Sequence, residues 1–352
     1  MKKVFLLTLL AYFFLWLPTA YAVRMKSLYE VDVPVASQQA SLRAEAFRKG
    51  LTQVLIRASG NTNIAQNPHM RPSLAHAEAL VDEYSYAPSH TPPPAPPYLL
   101  QIHFDPSVVN HALRAANAPL WGENRPLIIF WLTNNLSAEG VHIISSDSDL
   151  DLTTSLKKTA DRRGIPIIFP LMDLSEVGHI SIMDIGTNNF AILLNASKRY
   201  ASDVILAGRL FHDVSGYHLT ATLQFQNDQL KWDVTGESVP TVLSGMVDRI
   251  ADALATRYAS VMTEQIQSDV QITITQIEQS TDIDKCLQYL ERLPPVASIR
   301  ILQVNGQSVV LQISLRGTLS SLIEAISTDQ HLIPVTNINQ QQNPDLIWQW
   351  KG

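Results

Sequence analysis

The chain has 352 residues, 46% of them hydrophobic, enough for several cores, and its 26 basic and 32 acidic residues leave a net charge of −6. Without Lys2 and Lys3 the net becomes −8; a chain built to neutralise phosphates gathers Lys and Arg on one face, so nucleic acid is excluded as a partner. Cys286 is the only cysteine, which rules out an internal disulfide and leaves stability to packing.

The opening MKKVFLLTLLAYFFLWLPTAYA has two lysines, an apolar run from Val4 to Leu17, Pro18, and small residues at Ala20 and Ala22. That is the pattern of a cleavable signal peptide over 1–22, cut after Ala22. The run is shorter than the roughly 20 residues that span a bilayer, which disfavours the competing reading of an uncleaved anchor. No later run is long enough to span, so the expectation is a periplasmic or otherwise exported protein with no transmembrane segment after cleavage.

Residues 23–118 read as a small mixed α+β unit. SLYEVDVPV alternates as a strand does, and SQQASLRAEAFRKGLTQVLIRASG places Leu42, Ala46, Leu51, Val54 and Leu55 at helical spacing, from a cap at Ser37 to a stop at Gly60. A short helix is predicted over 71–80, strands near 81–87 and 98–104, and a helix started by Asp105 and Pro106. Between the strands, the proline-rich loop 87–97 excludes a continuing strand; it reads as a stiff spacer, with recognition of an aromatic groove as the alternative.

Residues 125–265 read as an open α/β domain. RPLIIFWL is nearly continuous in apolar character, which suits a strand covered on both faces; helix TTSLKKTADRRG and strand IPIIFP follow in βαβ order. A helix across NNFAILLNASKRYA, the strand DVILAGRL, a hairpin of YHLTATLQF with QLKWDV, and a helix from Val239 to Met262 complete it. Residues 269–337 give the order βαββαβ with an Asn305–Gly306 turn, the ferredoxin-like arrangement. The tail 338–352 places Trp348 and Trp350 on one side of a short strand, expected to cap a sheet edge or to dock a partner. The fold class is therefore α/β and α+β.

The stretches VDVPVASQ, GLTQVLIRASGN, PLWGENRPLIIFWL, RRGIPIIFPLMDL, SKRYASDVILAGRL and DRIADALATRYA, in that order over about 29–260, resemble an uncharacterised exported gammaproteobacterial family, domain of unknown function 2066. The resemblance implies an exported protein and brings no activity, cofactor or catalytic residue with it. In MDIGTNN, Gly186 stands where the resemblance implies a tryptophan. The middle unit also resembles the open α/β domains of envelope assembly proteins, such as the amino-terminal domain of the Tol translocation protein.

Chemical signatures are sparse. No phosphate-binding glycine loop, serine elbow, paired-cysteine motif or HExxH occurs. His69 and His76 are placed on one helical face but two turns apart, too far to share a metal unaided; His212 and His218 flank a turn across which they face each other. Asp147, Asp149 and Asp151 alternate as in calcium loops but lack the glycine and terminal glutamate of that motif. Arg162 and Arg163 close a helix, where cations suit the dipole, and Cys286 reads as a buried inert thiol. No catalytic, cofactor-binding or metal-binding residue is assigned, and no cofactor is expected.

Trp121, Gly122 and Arg125 fall where the first helix-bearing unit ends and the apolar strand begins. A tryptophan there buries apolar area worth on the order of 2 to 3 kcal/mol, so the stretch reads as a joint between two cores, with a ligand pocket as the alternative. Trp131, Trp348 and Trp350 are the other candidate interdomain or partner contacts. The function expected is an exported, non-enzymatic envelope protein that scaffolds or binds a protein partner; the alternatives are a periplasmic receptor for a small molecule or glycan with a cleft between the first two units and, last, a hydrolase with scattered residues.

Overall fold

The computed structural model describes residues 28–89, 94–136, 140–202, 204–225, 228–261, 268–327, 331–335 and 346–351. The expected signal peptide, positions 90–93 of the proline-rich loop and residues 336–345 of the last strand and tail lie outside the described residues.

In β1 (Glu30–Val35) every second residue is buried, because Val31, Val33 and Val35 face the helix α1 (Ala40–Ser59). Helix α1 begins at Ala40, two residues after the predicted start; Gln39 is the cap position and the Ser37 hydroxyl accepts from the Gln39 N–H at 3.4 Å. Gly60 stops it in the left-handed region at φ 69°, as predicted. The helix predicted over 71–80 breaks at His76 (φ −115°, ψ 41°) into α2 (Arg71–Ala75) and a 3-10 turn at Ala77–Leu80. His69 and His76 therefore do not share a helical face. Strands β2 (Val81–Pro88) and β3 (Tyr98–Phe104) complete an antiparallel sheet of order β1-β3-β2. Helix α3 (Pro106–Ala115) follows, capped by Asp105, which accepts from the Ser107 and Val108 N–H groups.

Strand β4 (Pro119–Leu120) leads into β5 (Ile128–Asn135), buried on both faces. After β5 come β6 (His142–Ile143), α4 (Leu150–Arg163), β7 (Ile167–Ile168), α5 (Leu174–Val177), α6 (Ile182–Gly186) and α7 (Phe190–Ser197). Then follow β8 (Val204–Asp213), β9 (Gly216–Phe225), β10 (Asp228–Gly236), α8 (Val239–Tyr258) and β11 (Ser260–Val261). The sheet runs β10-β9-β8-β5-β6, with β7 and β8 both parallel to β5. Ile128, Phe130 and Leu132 share a core with α4 and α8, whereas Ile129 and Trp131 share one with α6 and α7. This is why the run is apolar at every position: each side chain, whichever way it points, meets a helix layer. The predicted strand IPIIFP pairs over only two residues. Helix α8 ends at Tyr258 rather than Met262, because Ala259 turns extended (φ −83°, ψ 128°) and β11 pairs antiparallel with β4.

The βαββαβ order is present as β12 (Ser268–Thr275), α9 (Ser280–Glu291), β13 (Val296–Asn305), β14 (Ser308–Leu315), α10 (Leu319–Ser327) and β15 (Leu332–Pro334). The tail departs from expectation. As β16 (Leu346–Trp350) it enters the sheet between β12, to which it is parallel, and β15, to which it is antiparallel. It caps no edge: paired on both sides it lies inside the sheet, and the two-residue period puts both Trp348 and Trp350 into the same core as Ile274 and Leu311. Cys286 is buried in that core, and burial pushes its thiol up to about 12.

Candidate functional site

Helix α1 ends in the sequence Arg57-Ala58-Ser59-Gly60, and a helix leaves its last carbonyls without partners of its own. Here other segments satisfy them. The Trp121 N–H donates to the Ala58 carbonyl at 2.7 Å, Arg125 Nη2 to the Arg57 carbonyl at 2.8 Å, and Arg163 Nη2 to the Gly60 carbonyl at 3.0 Å. The end of the first unit's helix is thus completed by the connection and by the last turn of α4.

Trp121 is 2% exposed and lies in the middle unit's core cluster. Tyr258 of α8 stacks on it, with ring centres 6.4 Å apart and 15° between planes, and the Arg125 guanidinium lies 3.7 Å from its ring centre. Contact of a desolvated guanidinium with an indole face is worth about 2 kcal/mol. Arg125 also donates through Nε to Gly122 O at 2.6 Å and through Nη2 to Trp121 O at 2.7 Å, folding the connection into a tight loop. Burial pushes Arg125 down to about 9, with neighbouring Arg57 and Arg163 adding to the effect and Tyr29 opposing it, so it is still a cation at neutral pH.

Arg57 and Arg163 are buried as well. Arg57 donates to the Glu30 carbonyl at 2.6 Å and pairs with Asp161 of α4 at 2.9 Å; burial holds it below the usual arginine value and Asp161 works against that. Arg163, with a fully enclosed side chain, reaches Asp248 and Asp252 of α8 at 2.7 Å each. Two glycines permit the close approach. A β-carbon on Gly60 would stand 2.4 Å from the Ala255 Cβ, and one on Gly122 would stand 2.6 Å from Pro294 Cγ, at the edge of the third unit. The void bounded by Leu120, Trp121, Tyr258, Leu293 and Pro294 is about 20 Å³, far below the roughly 300 Å³ at which small-molecule sites begin.

Of the six candidate contacts, the structure brings Trp121, Gly122 and Arg125 together. Trp131 is elsewhere: it lies wholly inside the middle unit, where its Nε1 donates to the Ser197 hydroxyl of α7 at 2.9 Å. Trp348 and Trp350 belong to the third core, Trp350 beside Tyr289 and His331. Those three are internal core residues and join no two units. Sequence reasoning missed Arg57 and gave Arg163 only a dipole role. Their signal is positional, since each sits in the last helical turn before a left-handed glycine, Gly60 or Gly164.

The remaining polar residues form local clusters. Among the described residues no three imidazole, thiol or carboxylate groups converge as a metal set. His212 and His218 occupy adjacent registers and do not face each other: His212 meets Tyr217, while His218 stacks on Phe211 and contacts Asp213 at 3.0 Å. Asp149, at φ 48°, turns away from capping α4 and holds His142 at 2.9 Å and Asn134 at 2.7 Å. Burial opposes its ionisation, but hydrogen bonds from Asn134, Ser148 and His142 outweigh it and hold the carboxyl below its usual range.

Comparison with known proteins gives one family match: residues 22–122 match the model of a domain of unknown function (DUF8605). This corrects the resemblance to domain of unknown function 2066 over 29–260, which the comparison does not support; the matched segment is the first unit and ends at Gly122 of the seam. No curated protein matches. A solved structure, TolB from Acinetobacter baumannii, is similar at 10% identity over 44% of this chain and 33% of that one, with a TM-score of 0.24. The chain spans about a third of that protein, and likeness of this degree carries no argument about fold or function.

Proposed function

We propose that this is an exported, non-enzymatic protein of the bacterial envelope that serves as a scaffold for a protein partner. The observation that carries the reading is the filled seam. Trp121 meets both Tyr258 and Arg125, and three buried arginines reach helix-end and loop carbonyls and aspartates of the neighbouring unit. Such a joint fixes the relative placement of two folded units, as a scaffold requires. The export component rests on the composition of residues 1–22, and no described helix is long and apolar enough to cross a membrane.

The receptor reading retains one specific observation, at a different place from the expected cleft. A groove of about 610 Å³ on the first unit, between α1 and the 74–79 segment, is bordered by Glu45, Arg48, His76 and Glu78. Cell fractionation and crosslinking in intact cells test the scaffold reading: a periplasmic protein crosslinked to one defined envelope protein is expected. Recovery in the cytoplasm overturns it. A thermal shift with a small polar ligand that Arg48→Ala abolishes favours the receptor.

A further inference from the structure

Helices α5, α6 and α7 cover one face of the six-stranded sheet and leave apolar side chains pointing away from it. Leu174 is 95% exposed, Met183 71% and Val177 61%, and Leu171, Ile182 and Leu194 are exposed with them. The layer holds together as one surface: Arg199 after α7 reaches Asp173 at 2.8 Å and Ser175 at 3.0 Å before and within α5, and the Tyr200 hydroxyl accepts from the Leu171 N–H at 2.8 Å. These six side chains present on the order of 600 Å² of apolar surface, at the upper end of what a monomer ordinarily leaves in one patch.

The layer's carboxylates are committed within it. Asp173 pairs with Arg199, buried Glu176 accepts from the Met172 N–H at 2.7 Å, and Asp184 accepts from the Ser181 hydroxyl and the Asn189 amide. No carboxylate is left to recognise a charged partner. An apolar contact whose carboxylates are already paired suits the two-fold, self-matching interface of a homodimer; a specific interface of standard size takes roughly 800 Å² per partner, which at about two-thirds apolar is some 500 Å². The area on this face meets that requirement. We infer that the α5–α7 face is a homodimer interface, occupied by the same face of a second copy of this chain.

Sedimentation velocity and light scattering on the full chain over a range of concentrations test this. A dimer is expected for the unaltered protein and a monomer for the double variant Leu174→Asp, Met183→Asp, with an unchanged near-ultraviolet spectrum. Leu150→Asp, at an exposed leucine on the opposite helix layer, is expected to leave the dimer intact. If the aspartate pair misfolds, Leu174→Gln with Met183→Gln replaces it. A monomer at every concentration, or a dimer that both double variants preserve, overturns the inference. So does a monomer that floats with phosphatidylethanolamine–phosphatidylglycerol vesicles through these same residues, since the occupant is then lipid.

Discussion

The Arg125 guanidinium lies 3.7 Å from the centre of the Trp121 ring and donates to the carbonyl of the same residue at 2.7 Å. The cation therefore fixes both the indole face and the backbone that carries it. A further contact, to the Arg57 carbonyl at 2.8 Å, ties that loop to the end of α1.

Arg125→Ala removes the stacked cation and leaves three carbonyls short of a donor, those of Arg57 and Trp121 in buried bonds and that of Gly122 in a part-buried one. A loss of about 3 kcal/mol is expected, read as a lower urea midpoint. Arg125→Lys should recover only part of it, because an ammonium cannot reproduce the planar contact with the ring.

Gly60→Ala places a β-carbon 2.4 Å from the Ala255 Cβ at a φ of 69°. Overpacking and the left-handed backbone together should cost about 2 to 4 kcal/mol. Ala255→Gly in the same chain should return the steric part and not the backbone part, so a double-mutant cycle with positive coupling is the expected outcome.

Trp131→Phe separates the middle core from the seam. It forfeits the hydrogen bond to Ser197 and some packing, about 1 to 3 kcal/mol. Protease sensitivity of the 117–126 connection should not change, because Trp131 lies on the opposite face of the sheet from α4 and α8.

The Asp213 carboxyl is lowered to about 2 from an ordinary 3.8, chiefly by the Ser215 hydroxyl, then by the Ser215 N–H and His218. A depressed folded-state value means that its contribution to the β8–β9 turn is present above 3.8 and is lost as pH falls through about 2. Carboxyl NMR should find the low value, and Ser215→Ala should raise it towards 3.8.

Much of this architecture is legible in the sequence. The unbroken apolar run of β5 announces a strand covered on both faces, and the Val242, Met246, Ile250, Leu254 spacing announces the buried side of α8. The site is half legible. Trp121 and Arg125 stand out because they precede that strand, whereas Arg57 and Arg163 read as ordinary helix-end cations; apart from the Glu30 carbonyl, the partners they meet, Asp161, Asp248, Asp252 and the Gly60 carbonyl, lie more than 80 residues away in sequence. The place of β16 is likewise hidden. Alternation shows that Trp348 and Trp350 share a side, but pairing with β12 and β15 depends on which gap the folded sheet leaves open.

Trp121→Ala tests the joint most directly. Melting is expected to fall by the equivalent of about 3 to 5 kcal/mol, and limited proteolysis should now cut the 117–126 connection before either flanking core. An unchanged melting profile together with an unchanged cleavage pattern would contradict the assignment of this tryptophan as the element that locks the first unit to the second.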